Sequence, residues 1–171
     1  MSILIAYSSK HGDTKECVTR LSKALGELSH TLCNLDKETP RIEEYNVVIL
    51  GSPVYFGNLR PSVRKFIKEH QSELTEKKLG LFLVGGLAHE AEFYQDALFP
   101  QPLREKAFQN IYFGGTLTKT GRSFWERMLI RSMRSSIMES EMEEGEYTMT
   151  LPGILPENIE RMATFVREQL L

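Results

Sequence analysis

Two hydrophobic periods alternate along the chain. Near-continuous apolar runs at 3–7, 30–35, 46–51, 79–84 and 110–117, bounded by turn-forming residues, predict strands. The run Asn46-Val47-Val48-Ile49-Leu50-Gly51 is the strongest, with β-branched residues through its middle. Strands that are apolar on both faces belong to parallel sheets. Elsewhere the apolar residues fall three and four apart. Cys17, Leu21, Ala24, Leu25 and Leu28 make a stripe on a helix over 13–28. Val63, Phe66, Ile67, His70 and Leu74 make another after Pro61, with His70 a structural member of it. Ile159, Met162, Ala163, Val166 and Leu170 make a third after Pro156. Helices are also predicted over 92–98 and 123–138, with the breakers Pro100 and Pro102 following the first. The stretch 36–44 is a loop, 139–146 an acidic loop, and 148–151 an edge strand or extended arm. Strand and helix alternate without repeat or linker. The pattern predicts one α/β domain over 1–171, a five-stranded parallel sheet with helices on both faces.

In such a sheet, ligands bind beyond the carboxyl ends of the strands. Three loops leave those ends. The first, Ser8-Ser9-Lys10-His11-Gly12-Asp13-Thr14, joins a strand to a helix with small, hydroxyl-bearing and cationic residues. It points amide N–H groups at one spot, at the positive end of a helix dipole, and so suits a phosphate. The second, Ser52-Pro53-Val54-Tyr55-Phe56-Gly57-Asn58, sets two adjacent aromatics between a proline and a glycine. Their partner is a flat ligand or the next helix. The third begins Gly85-Gly86-Leu87 and suits either a close approach to a ligand or a simple turn. One ligand with a phosphate at one end and a flat ring at the other, such as FMN, would use all three. The first loop is neither Gly-x-Gly-x-x-Gly nor Gly-x-x-x-x-Gly-Lys-Ser/Thr, which argues against a dinucleotide or P-loop site. Asp13 and Asp36 do not make the aspartate cluster of a phospho-acceptor domain.

Composition narrows this further. The 171 residues, 41% hydrophobic and 26% charged, are ordinary for one soluble domain. A net charge of −2 argues against a general nucleic-acid partner. Cys17 and Cys33 match no metal or redox spacing and are expected to be buried thiols. No apolar run is long enough for a membrane span, and the short N-terminal run is no signal peptide, so a cytoplasmic location is expected. Over 119–134, Arg127, Arg131 and Arg134 line one side of a predicted helix that also carries Phe124, Trp125 and Met128. This helix either covers the sheet or makes peripheral membrane or partner contact.

The run Ser9-Lys10-His11-Gly12-Asp13-Thr14 resembles the phosphate loop of the flavodoxin family, and Gly51-Ser52-Pro53-Val54-Tyr55-Phe56-Gly57 resembles its ring-binding loop. The resemblance covers most of the chain. It is closest to the branch containing the menaquinone-dependent protoporphyrinogen IX dehydrogenases, because of the short Ser-x-x-Gly-x-Thr loop, the Ser-x-x-(Tyr)-Gly type of second loop and the aromatic-basic helix at 124–133. The segment 85–110 departs from that branch: it is acidic to neutral, with Glu90, Glu92 and Asp96, where the dehydrogenases have a basic insertion. The resemblance implies a flavodoxin-like three-layer sandwich with strand order 2-1-3-4-5 and FMN as cofactor. It implies that Ser9, Lys10, His11, Gly12, Asp13 and Thr14 hold the phosphate. Ser52, Pro53, Val54, Tyr55, Phe56 and Gly57 would meet the isoalloxazine, and Gly85, Gly86 and Leu87 would close its pyrimidine edge. It implies an FMN oxidoreductase passing electrons to a quinone or, alternatively, an electron carrier that docks on a redox partner protein. His89 is the best candidate acid or base, or else an exposed loop residue.

Overall fold

The computed structural model describes residues 2–10, 12–86, 91–115 and 153–170. His11, Leu87, His89, Glu90, the Arg127, Arg131 and Arg134 stripe with its helix, and the segments 139–146 and 148–151 lie outside the described residues.

Five parallel strands form the central sheet: β1 (Ile3–Tyr7), β2 (His30–Asn34), β3 (Val47–Pro53), β4 (Lys78–Val84) and β5 (Ala107–Tyr112). Their order is β2-β1-β3-β4-β5, as the resemblance implies. The register sets Ile3 beside both His30 and Val47, and Val47 beside Lys78, so the carboxyl ends of β2, β1 and β3 lie side by side.

Side chains alternate between two cores, as the period of a strand requires. Ile3, Ile5, Val47, Ile49 and Phe82 face one side with Cys17, Val18 and Leu21 of α1 (Asp13–Leu25). The far helix of that layer, which we call α5 (Pro156–Glu168), adds Ile159, Met162, Ala163 and Val166. Its Arg167 guanidinium donates to the Ala24 carbonyl, and the Lys78 ammonium donates to the Gln169 carbonyl. Leu4, Ala6, Val48, Leu50, Leu79, Leu81 and Leu83 face the other side, with Val63, Phe66, Ile67 and Leu74 of α2 (Pro61–Glu76). Gly51 has a packing reason: a Cβ there would lie 1.9 Å from Cζ of Phe82, whose ring crosses from β4 to stack on Phe113 at 4.6 Å.

Four local expectations change. The first helix stops at Leu25 and not at 28, because Gly26 turns the chain at φ 62° and its N–H returns to the Lys23 carbonyl. Two short helices, α3 (Ala91–Ala97) and α4 (Gln101–Lys106), precede β5. Pro102 does not break the second of these: prolines are tolerated in a helix's first turn, where the N–H has no intrahelical acceptor. A 3-10 turn at Ile42–Glu44 interrupts the expected loop and buries Ile42. Finally, the run over 110–117 does not continue as one strand. β5 ends at Tyr112, and β6 (Gly114–Gly115) pairs antiparallel with β7 (Gly153–Ile154) in a separate two-stranded sheet. His70 packs 4.9 Å from Phe66 and contacts Glu73 at 3.2 Å, at a kink in α2. The structural role expected for it fits that placement.

Candidate functional site

At the end of β1 the chain turns inward before it turns outward. Ser8 is 0% exposed, and its hydroxyl donates to Asp36 Oδ2 at 2.7 Å. The Ser9 N–H donates to the same oxygen at 3.1 Å. Ser9 Oγ accepts the Lys15 N–H at 3.3 Å and so serves the first turn of α1. Gly12 is the N-cap at φ 101°, ψ −28°, a left-handed conformation that favours glycine. It places no side-chain cap on the helix, and a Cβ built on it meets no heavy atom within 4 Å. Open space therefore lies beside the amides that begin α1, with Asp13 at the helix start and Thr14 buried just inside. Those amides and the helix dipole favour an anion there.

Asp36 organises this turn from beneath. Besides Ser8 and Ser9 it accepts the Ser62 hydroxyl at 2.7 Å and pairs with Arg60 Nη2 at 3.6 Å. Burial alone would push its carboxyl up, but the hydrogen bonds from Ser62, Ser8 and Ser9, together with Arg60, outweigh that and hold it below the ordinary carboxylate range. Its charge is thus met by donors on β1's end and α2's start, and it does not compete for the anion position. Sequence reasoning missed Asp36, Arg60 and Ser62. The signal was positional: Asp36 follows β2, the neighbour of β1, and Arg60 and Ser62 flank Pro61 at the start of α2.

The second loop divides into a wall and a tip. Ser52 and Pro53 extend β3 beside Leu83 and Val84, and Ser52 Oγ accepts the Arg60 N–H at 3.0 Å. Val54 continues the wall, its N–H donating to the Val84 carbonyl at 2.8 Å. The tip is a tight hairpin closed by Tyr55 N–H to Asn58 O at 2.8 Å and Asn58 N–H to Tyr55 O at 3.1 Å. Both central residues have positive φ, 49° at Phe56 and 71° at Gly57, as the hairpin turns that match strand twist require. Phe56 takes that conformation without being glycine, and the residue is 54% exposed. Tyr55 meets it edge-on at 4.5 Å and is half-buried. Lys10 joins the two loops: its ammonium donates to the Tyr55 hydroxyl at 2.7 Å.

The third loop is described only through Gly86. The Gly85 N–H donates to the Gly114 carbonyl at 2.9 Å, and a Cβ on Gly85 would lie 2.6 Å from the Tyr112 hydroxyl oxygen. Packing against β5 and β6 therefore accounts for this glycine. The structure brings together Ser9, Lys10, Gly12, Asp13, Thr14, Ser52, Pro53, Val54, Tyr55, Phe56 and Gly57, and sets Gly85 and Gly86 on the next strand end. The thiols take no part: burial pushes Cys17 up to about 12 and Cys33 up to about 11, far from the reactive range.

Comparison with known proteins agrees with this architecture. A family model described as a flavodoxin domain matches residues 4–143, and the chain belongs to that family. Protoporphyrinogen IX dehydrogenase (quinone) of Escherichia coli K12 is 27% identical over 95 residues, covering 54% of this chain and 52% of that protein. A flavodoxin of Clostridium saccharobutylicum is 31% identical over 84 residues, covering 47% of this chain and 52% of that one. The chain thus spans about half the length of the curated relatives it matches. Among solved structures, a Fusobacterium nucleatum flavodoxin bound to flavin mononucleotide superposes with a TM-score of 0.53 at 15% identity over 98% of both chains. Two-electron reduced Megasphaera elsdenii flavodoxin superposes at 0.54 and 18% identity, over 78% of this chain and 98% of that one. These likenesses show the fold. Among the described residues no helix is long and apolar enough to cross a membrane.

Proposed function

We propose that this chain binds FMN across its first two loops and acts as an FMN-dependent oxidoreductase of the protoporphyrinogen-dehydrogenase type, delivering electrons to a quinone. The observation that carries the cofactor reading is the 2.7 Å bond between Lys10 and Tyr55, which joins an amide-lined turn to an aromatic tip. The donor set fits the group: helix-initial amides, a glycine facing open space, and an aromatic ring at one strand's distance. In this reading the amides at 12–14 and the Ser9 hydroxyl hold the phosphate, while Tyr55 and Phe56 border the ring. Asp36 keeps the turn in shape without touching the ligand. FMN, when bound, supplies the electron-transfer chemistry, and the protein tunes access and charge around it. The half-length match to the dehydrogenase supports the enzyme reading.

The purified protein is expected to take up FMN with quenching of the flavin's fluorescence. Under anaerobic conditions it is then expected to oxidise protoporphyrinogen with a quinone as acceptor. Failure to take up FMN would overturn the first statement, and FMN uptake without turnover the second. A carrier reading is favoured by α3, where Glu92, Asp96 and Phe93, the last 68% exposed, form an acidic face with an exposed aromatic on a helix that packs beside β5. Rapid reduction of a redox protein, with no turnover of porphyrinogen, would select it.

A further inference from the structure

Two cations lie against the aromatic tip. Lys10 Nζ stands 4.7 Å from the Tyr55 ring centroid, besides bonding its hydroxyl at 2.7 Å. Arg60 Cζ stands 5.0 Å from the same centroid. Arg60 is held from several directions. Its N–H is on Ser52 Oγ at 3.0 Å, its Nε on Ser8 Oγ at 3.3 Å, and its Nη2 is 3.6 Å from Asp36 Oδ1. Its side chain is 19% exposed, so salt screens it less than a surface charge, although Asp36 offsets part of its field. The sequence resemblance assigns no role to Arg60, and it makes the Lys10 side chain at most a phosphate contact.

Resting on the reading that Tyr55 borders the flavin, we propose that Lys10 and Arg60 together raise the reduction potential of the bound cofactor. When the neutral oxidised ring system accepts two electrons and one proton, it gains one net negative charge. Positive charge fixed beside Tyr55 favours that anionic state over the neutral one. The pair of cations thereby suits the site to drawing electrons from an organic donor. A low-potential carrier would need the opposite field.

The test is an anaerobic dithionite titration of the FMN-loaded protein against a reference dye, paired with FMN titration of the apoprotein. Lys10→Gln and Arg60→Gln are each expected to weaken binding of reduced FMN roughly tenfold more than binding of oxidised FMN, a fall of about 30 mV for a two-electron couple. Lys10→Arg, which keeps the charge, is expected to restore the wild-type midpoint. A merely structural contact would change the oxidised-state affinity and leave the midpoint alone. Midpoints unmoved in the glutamine variants would overturn the inference while leaving FMN binding intact. Should Arg60→Gln fail to fold for want of its Asp36 network, Lys10→Gln, on an exposed turn, decides the matter alone. Wild-type protein that takes up no FMN would overturn the cofactor reading, and this inference with it.

Discussion

The turn after β1 and the tip after β3 are joined by the Lys10–Tyr55 bond, yet they are built in opposite ways. The turn is anchored from within: Ser8 and Ser9 bond a half-sheltered carboxylate that also gathers Arg60 and Ser62. The tip is closed by two backbone hydrogen bonds and carries an exposed phenylalanine at φ 49°. An amide cradle for an anion must have its geometry set in advance, because small shifts misdirect its donors. An apolar ring face tolerates adjustment, because stacking is less directional. The strain and exposure at Phe56 fall where a ligand's ring is proposed to lie.

The contrast can be broken most severely at Asp36. Asp36→Ala leaves buried Ser8 and part-buried Arg60 without their acceptor and is expected to cost about 3 kcal/mol, measured by urea unfolding. FMN affinity is expected to fall with it. The Asp36 contribution also has a pH signature. Because its folded carboxyl lies below the unfolded value, the stabilisation is fully present above pH ~4 and is lost as pH falls through the folded value. The stability difference between wild type and Asp36→Asn should therefore shrink on acidification below that range. Next in size, Tyr55→Ala is expected to weaken FMN binding about tenfold, the worth of one aromatic contact, with little change in unfolding midpoint. Ser62→Ala removes one of several donors to Asp36 and is expected to cost about 1 kcal/mol. The smallest effect belongs to Phe56→Gly. Relief of the left-handed conformation slightly exceeds the entropy cost of glycine, so the apoprotein is expected to gain about 0.5 kcal/mol. A loss of stability there would show that Phe56 packs more than its exposure suggests.

The sheet was legible because its strands are apolar on both faces, a pattern that local sequence alone carries. The stripes of α1, α2 and α5 were legible for the same reason. The site was legible in part. Gly12 and the Tyr55-Phe56-Gly57 tip announce themselves by residue type at a strand's end. Asp36, Arg60 and Ser62 did not, because their meaning comes from strand order and not from their neighbours in sequence. Asp36 sits in a polar stretch like any loop aspartate until β2 is placed beside β1. The β6–β7 pair was missed because two-residue strands built largely of glycine carry no hydrophobic period. Ser52 and Pro53 were taken as loop because a proline at a strand's end looks like punctuation, whereas β1 pairs with β3 only as far as Gly51, so no ladder bond on that side is lost at Pro53.

The small antiparallel pairing of Gly114–Gly115 with Gly153–Ile154 has an architectural consequence. Residues 114–115 and 153–154 meet at one stitched seam outside the central sheet, and α5 then packs on α1 through contacts of its own. The Leu155 N–H, donating to the Phe113 carbonyl at 2.8 Å, carries the tie across to the start of α5, so two stretches far apart in sequence share one closure.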